Sequence, residues 1–176
     1  MSQPVPPPGN PFAEGAAPSG NPSPSGNPFA EGASPFAPPP PPVRANIGLG
    51  LAAALVAALV AAGVYGGIMG AIEREIGWAA IGVGFLTGFA AGKVGGPNPV
   101  LPVVSAVLSL GAVYLGQLVG IAILFGKDLN VSATDVFLDH LDVVTAAWSE
   151  GTDVMSFLFF ALAAFAAFSG AKKASF

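Results

Sequence analysis

The sequence predicts an all-α integral membrane protein: a four-transmembrane-helix bundle, a short amphipathic outer helix and a disordered, proline-rich N-terminal tail. Three observations predict it. Of 176 residues, 53% are hydrophobic and only 9% charged, whereas soluble domains carry about a quarter charged residues. Fifteen of the 18 prolines precede Val43. Beyond that point, apolar stretches of spanning length alternate with short charged or Gly/Pro turns. The chain therefore divides into a tail, residues 1–45, and a transmembrane domain, residues 46–176.

The tail consists mainly of Pro, Gly, Ser, Asn and Ala. Such a segment cannot bury enough apolar surface to offset the entropy of ordering, so it is expected to be disordered, with polyproline II character. It is also repetitive: GNPFAEGA stands at residues 9–16 and again at 26–33. Phe12, Phe29 and Phe36 each follow a proline and are the only aromatic residues of the tail. They are candidate docking points for a cytoplasmic protein partner, because linked weak motifs gain from effective concentration. In form, Asn-Pro-Phe resembles the tripeptide bound by eukaryotic endocytic adaptor domains. A duplicated low-complexity spacer is the alternative.

Four spans follow. Residues 46–72 carry no charge, and Glu73-Arg74-Glu75 marks the first turn. The second span covers about 76–94, with Trp78 at interface level, and ends at Gly95-Gly96-Pro97-Asn98-Pro99. The third covers about 100–126, with Pro102 tolerated in its first turn. The fourth, about 154–171, is short and rich in phenylalanine, and Asp153 is placed to cap it. Three spans would result if this last segment only lay in the interface. With four, Arg44, Lys93, Lys172 and Lys173 fall on one side, and Arg74 and Lys127 on the other. The positive-inside rule then puts both termini in the cytoplasm of a plasma-membrane protein.

Glycines spaced four apart place small residues on one helix face, where backbones approach closely. The candidates for helix packing are Gly63 with Gly67, the row Gly84, Gly88 and Gly92, and Gly116 with Gly120. Gly66 with Gly70 has the same spacing. A glycine-lined pore or a homo-oligomer face is the alternative use of such rows. Between the third and fourth spans, Ser132-Ala133-Thr134-Asp135 has the form of a helix start. A helix over about 132–149 puts Phe137, Leu141, Val144 and Trp148 on one face and Asp135, Asp139 and Asp142 on the other. It is expected to lie on the outer surface, its acidic face solvated rather than ligating calcium.

Other classes are disfavoured. Net charge is −4, and Lys172-Lys173 is the largest basic group, which leaves nothing to neutralise nucleic-acid phosphates. There is no cysteine and one histidine, His140. Thiolate metal sites and the usual nucleophile–histidine pairs are thus disfavoured, and no cofactor or metal is expected. No Asp, Glu, Lys, Arg or His sits mid-span, where ion- and proton-coupled carriers commonly place one. Gln117, Ser105, Ser109 and Thr87 are expected to bond across helices or to their own carbonyls. Glu73, Arg74 and Glu75 are expected to form a local ion cluster in solvent.

The run Ile76-Gly77-Trp78-Ala79-Ala80-Ile81-Gly82-Val83-Gly84-Phe85-Leu86 resembles the second span of a group of small bacterial four-transmembrane-helix proteins. In those, the span reads Gly-Trp-x-Ala-Ile-Gly-Val-Gly-Phe. Leu115-Gly116-Gln117-Leu118-Val119-Gly120 and Asp153-Val154-Met155-Ser156-Phe157 hold places comparable to that group's third- and fourth-span patches. The resemblance covers roughly residues 67–171 and implies a four-span architecture attached to variable N-terminal segments. The group is uncharacterised, so no activity or site follows from it. The expectation is a non-enzymatic membrane protein that anchors or scaffolds while its tail recruits partners. The alternative is a small channel or transporter subunit acting as a homo-oligomer.

Overall fold

The computed structural model describes residues 45–175. Six helices and no strand form there: α1 (Ile47–Ile72), α2 (Gly77–Gly95), α3 (Val100–Leu129), α4 (Ala133–Asp139), α5 (Leu141–Gly151) and α6 (Val154–Ala174). α1, α2, α3 and α6 are long and apolar enough to cross a membrane. The shortest, α2, has 19 residues, or about 28 Å at the α-helical rise. α6 has 21 residues, which is long enough for a full crossing of about 30 Å and removes the reason for a three-span alternative.

Each helix end has a local cause. Asn46 starts α1, its Oδ1 accepting the Leu49 N–H at 3.1 Å. Glu73 ends it in the left-handed region, φ 58°. α2 stops at Gly96, φ 71°, a conformation that costs glycine little. Asn98 Oδ1 accepts the Val100 N–H at the start of α3. α3 continues past its expected end at 126 to Leu129. There Asn130 turns left-handed, and the Val131 N–H returns to the Gly126 carbonyl at 2.9 Å. Asp153 and Ser156 form a reciprocal capping box on α6.

α2 and α3 touch across the centre of the bundle. α1 and α6 occupy opposite corners, each against both central helices and neither against the other. The core is made of small residues, with Ala58, Ala61, Ala62, Ala80, Ala112 and Ala163 around Tyr65, Val83 and Val113. Close backbone approach gains dispersion contacts that lipid cannot replace. The outward faces are apolar, with Leu55, Val56, Val60, Val107 and Phe165 all exposed. A surface of this kind is an aggregation hazard in water and is suited to hydrocarbon.

The single amphipathic helix expected over about 132–149 is instead two, α4 and α5, broken at His140 (φ −127°, ψ 38°). Val136 and Val144 are buried against Leu118 and Ala122 of α3, with Phe137 and Trp148 packed beside them. Leu141, expected on the same face, is 43% exposed. Asp135, Asp139 and Asp142 are exposed.

Candidate functional site

The glycine rows divide sharply in the fold. Gly84, Gly88 and Gly92 lie against α6, where an added Cβ would stand 2.0, 1.9 and 2.1 Å from the carbonyl oxygens of Ala163, Ala167 and Ala171. The row is buried, so it offers no face to a second copy. Gly116 makes room for the Tyr65 ring, and Gly120 for Met69. The Gly63–Gly67 pair, expected at a packing face, is displaced from that role. A Cβ at either position meets nothing within 4 Å. Gly66 and Gly70 carry the α1–α3 contact instead, against Gly116, Val119 and Ile123. The face of α1 turned to its neighbours follows the buried series Ala54, Ala58, Ala61, Ala62 and Tyr65, which leaves Gly63 outward. Phe12, Phe29 and Phe36 lie outside the described residues.

The chemically richest cluster lies where the α1–α2 turn meets α3 and α5. Gln117, buried on α3, donates from Nε2 to Glu75 Oε1 at 2.5 Å. Its Oε1 accepts the Trp148 indole N–H at 2.7 Å. One amide therefore ties the turn before α2 to helix α5. Tyr114 meets the Trp148 ring edge-on at 4.8 Å. Tyr65, 2% exposed, brings its hydroxyl beside Gln117 and Glu75, and its oxygen has no hydrogen-bond partner among the described residues. A cavity of about 160 Å³ opens here, lined by Met69, Glu75, Gln117, Ile121, Trp148 and Thr152 among others. Burial pushes the Glu75 carboxyl above its usual range, the Gln117 hydrogen bond opposes this, and the charge of Asp153 adds to it. Hydrogen bonds from Ser156 hold Asp153 below the usual range.

Glu73, Arg74 and Glu75 do not form the self-contained ion cluster expected from their adjacency. Glu73 pairs with Lys127 at 3.4 Å, and the same ammonium donates to the Gly70 carbonyl at 2.7 Å, satisfying the last turn of α1. Glu75 turns to Gln117, and Arg74 has no ion-pair partner among the described residues. The span hydroxyls bond within their own helices: Thr87 to Val83, Ser105 to Leu101 and Ser109 to Ala106.

The partners of Gln117 were not legible in the sequence. Glu75 is 42 residues away and Trp148 is 31, and neither spacing carries a motif. The α6 partner row Ala163, Ala167 and Ala171 did carry a signal, the same four-residue spacing as the glycines it meets. Among the described residues, no three Asp, Glu or His side chains are grouped to hold a metal. The cluster offers one carboxylate and hydrogen-bonded amide and indole groups. This is a chemistry suited to tying elements together. No protein-family model, curated protein or solved structure matches the chain.

Proposed function

We propose that this chain is a non-enzymatic, multi-pass plasma-membrane protein that anchors or scaffolds, with its proline-rich N-terminal tail recruiting cytoplasmic partners. The observation that carries the reading is the closed α2–α6 seam. The one glycine row long enough to line a pathway is filled by α6 backbone instead. The hydroxyls of Thr87, Ser105 and Ser109, turned back on their own helices, add no polar route. A rigid apolar bundle joined to a tail with two GNPFAEGA copies is the arrangement expected of a support that displays short motifs.

Deleting residues 1–42 and comparing proximity-crosslinked partners in cells tests the recruiting role. The expected result is loss of one or more partners while the truncated protein stays in the membrane. Retention of every partner refutes it. A reporter fused after Phe176 is expected to be active on the cytoplasmic side only. A channel or carrier subunit would have to associate through a surface other than the Gly84–Gly88–Gly92 row, and ion flux in liposomes above the protein-free level would favour it.

A further inference from the structure

We propose that the groove between α1 and α2 is a binding site for one phospholipid of the leaflet at the Glu73–Glu75 end, its phosphate at Arg74. The groove is about 420 Å³ and almost entirely apolar. Its floor is buried, formed by Ala61, Tyr65 and Val83, and its rims, such as Val64 and Leu86, are more than half exposed. It therefore opens outward between two membrane-length helices, where the surrounding solvent is hydrocarbon.

Length and charge single out the occupant. The lining runs from Ala57 to Ile68 on α1 and from Ala79 to Ala90 on α2, about 17 Å along each helix. That is close to the depth of one leaflet, about half of a 30 Å hydrocarbon core. A single acyl chain matches it, whereas a spanning helix of a second copy is nearly twice as long. At the other end, the α1–α2 turn sits one helical turn beyond Ile68 and carries Arg74. Glu73 is offset by Lys127, and Glu75 is drawn inward to Gln117. Arg74 is left without an ion-pair partner among the described residues, at headgroup level, with a guanidinium that matches phosphate geometry. Exposed Trp78 anchors the same level.

Glycine positions supply the test. A Cβ at Gly82, inside the groove, meets nothing within 4 Å, and the same holds at Gly63, which does not line it. The full-length protein in mild detergent is titrated with dioleoylphosphatidylglycerol and followed by native mass spectrometry. Wild type is expected to retain one lipid per chain. Gly82→Phe, or Ile68→Trp from the opposite wall, should lower the bound fraction at least fivefold, and Arg74→Gln about threefold. Gly63→Phe should match wild type. Dioleoylglycerol, which lacks the phosphate, should bind at least threefold less. Wild type that binds no better than the folded groove variants overturns the proposal. So does equal binding of dioleoylglycerol, or a dimer of the chain that only the groove substitutions dissociate. The proposal rests on the membrane reading above. A chain extracted from membranes only by detergent, yet carrying no lipid, overturns the lipid site and leaves that reading standing.

Discussion

Gly88→Ala, the smallest of changes, should separate α2 from α6. The new methyl carbon would stand 1.9 Å from the Ala167 carbonyl oxygen, with the Ala167 carbonyl carbon 2.6 Å away. Those atoms are backbone and cannot rotate aside. Reaching a tolerable contact requires the helices to part by about 1 Å at the centre of the seam, and a gap of that size forfeits about a quarter to a half of each dispersion contact. Gly84 against Ala163 and Gly92 against Ala171 flank the site and lose contact with it. Overpacking of this kind costs about 1–3 kcal/mol, and a rigid obstacle puts Gly88→Ala at about 3 kcal/mol. Gly82→Ala on the same helix meets open space and should gain up to about 1 kcal/mol from helix propensity. Reversible unfolding of the purified protein in detergent, with α2–α6 distances from paired spin labels, measures both. Equal stability of the two variants, or an unchanged α2–α6 distance in Gly88→Ala, would refute the packing argument.

Further outcomes follow from the polar cluster. Gln117→Leu leaves the half-buried Trp148 N–H without its acceptor and should cost about 1 kcal/mol. In a Trp78→Phe background, the same change should red-shift the remaining tryptophan emission as α5 loosens, and an unshifted spectrum would contradict the tie. Glu75 has a folded-state pKa above its usual 4.5, so its neutral form is favoured by folding. Its contribution is full below the usual carboxylate range and is lost as pH rises through the raised value. Glu75→Gln, which still accepts from Gln117, should therefore be more stable than wild type at pH 7 and lack this fall, as urea titrations at pH 4 and pH 7 would show. Asp153 acts in the opposite sense. Its pKa lies below the usual 3.8, so its cap weakens as pH falls through the acid range, with faster amide exchange at the start of α6. Lys127→Met should fray the end of α1 with a stability loss below about 1 kcal/mol, the pair being solvent-exposed.

What could be read in advance was whatever depends on the nearest neighbours along the chain. Four helices and their turns follow from runs of apolar residues punctuated by Glu73–Glu75, Gly95–Pro99 and Asp153, because backbone polar groups in an apolar setting must be satisfied locally. The row Gly84, Gly88 and Gly92 announced a close contact for the same local reason: three missing side chains on one face. The sequence alone could not say what fills that face. Nothing in Gly63–Gly67 distinguishes it from Gly66–Gly70, yet only the second pair touches another helix. The rotation of α1 is set by Ala54, Ala58 and Tyr65 meeting α2 and α3 together. The break at His140 is equally invisible to periodicity, since both halves keep helical spacing and Phe137, Val144 and Trp148 pack beside Leu118 and Ala122 on either side of it.

Local chemistry thus determined the four long helices, the turns between them and the Gly84–Gly88–Gly92 face. Tertiary structure alone decided the pairing of faces and the union of Glu75, Gln117 and Trp148. Side chains so far apart along the chain share no spacing rule. They meet because the bundle fixes where each helix points.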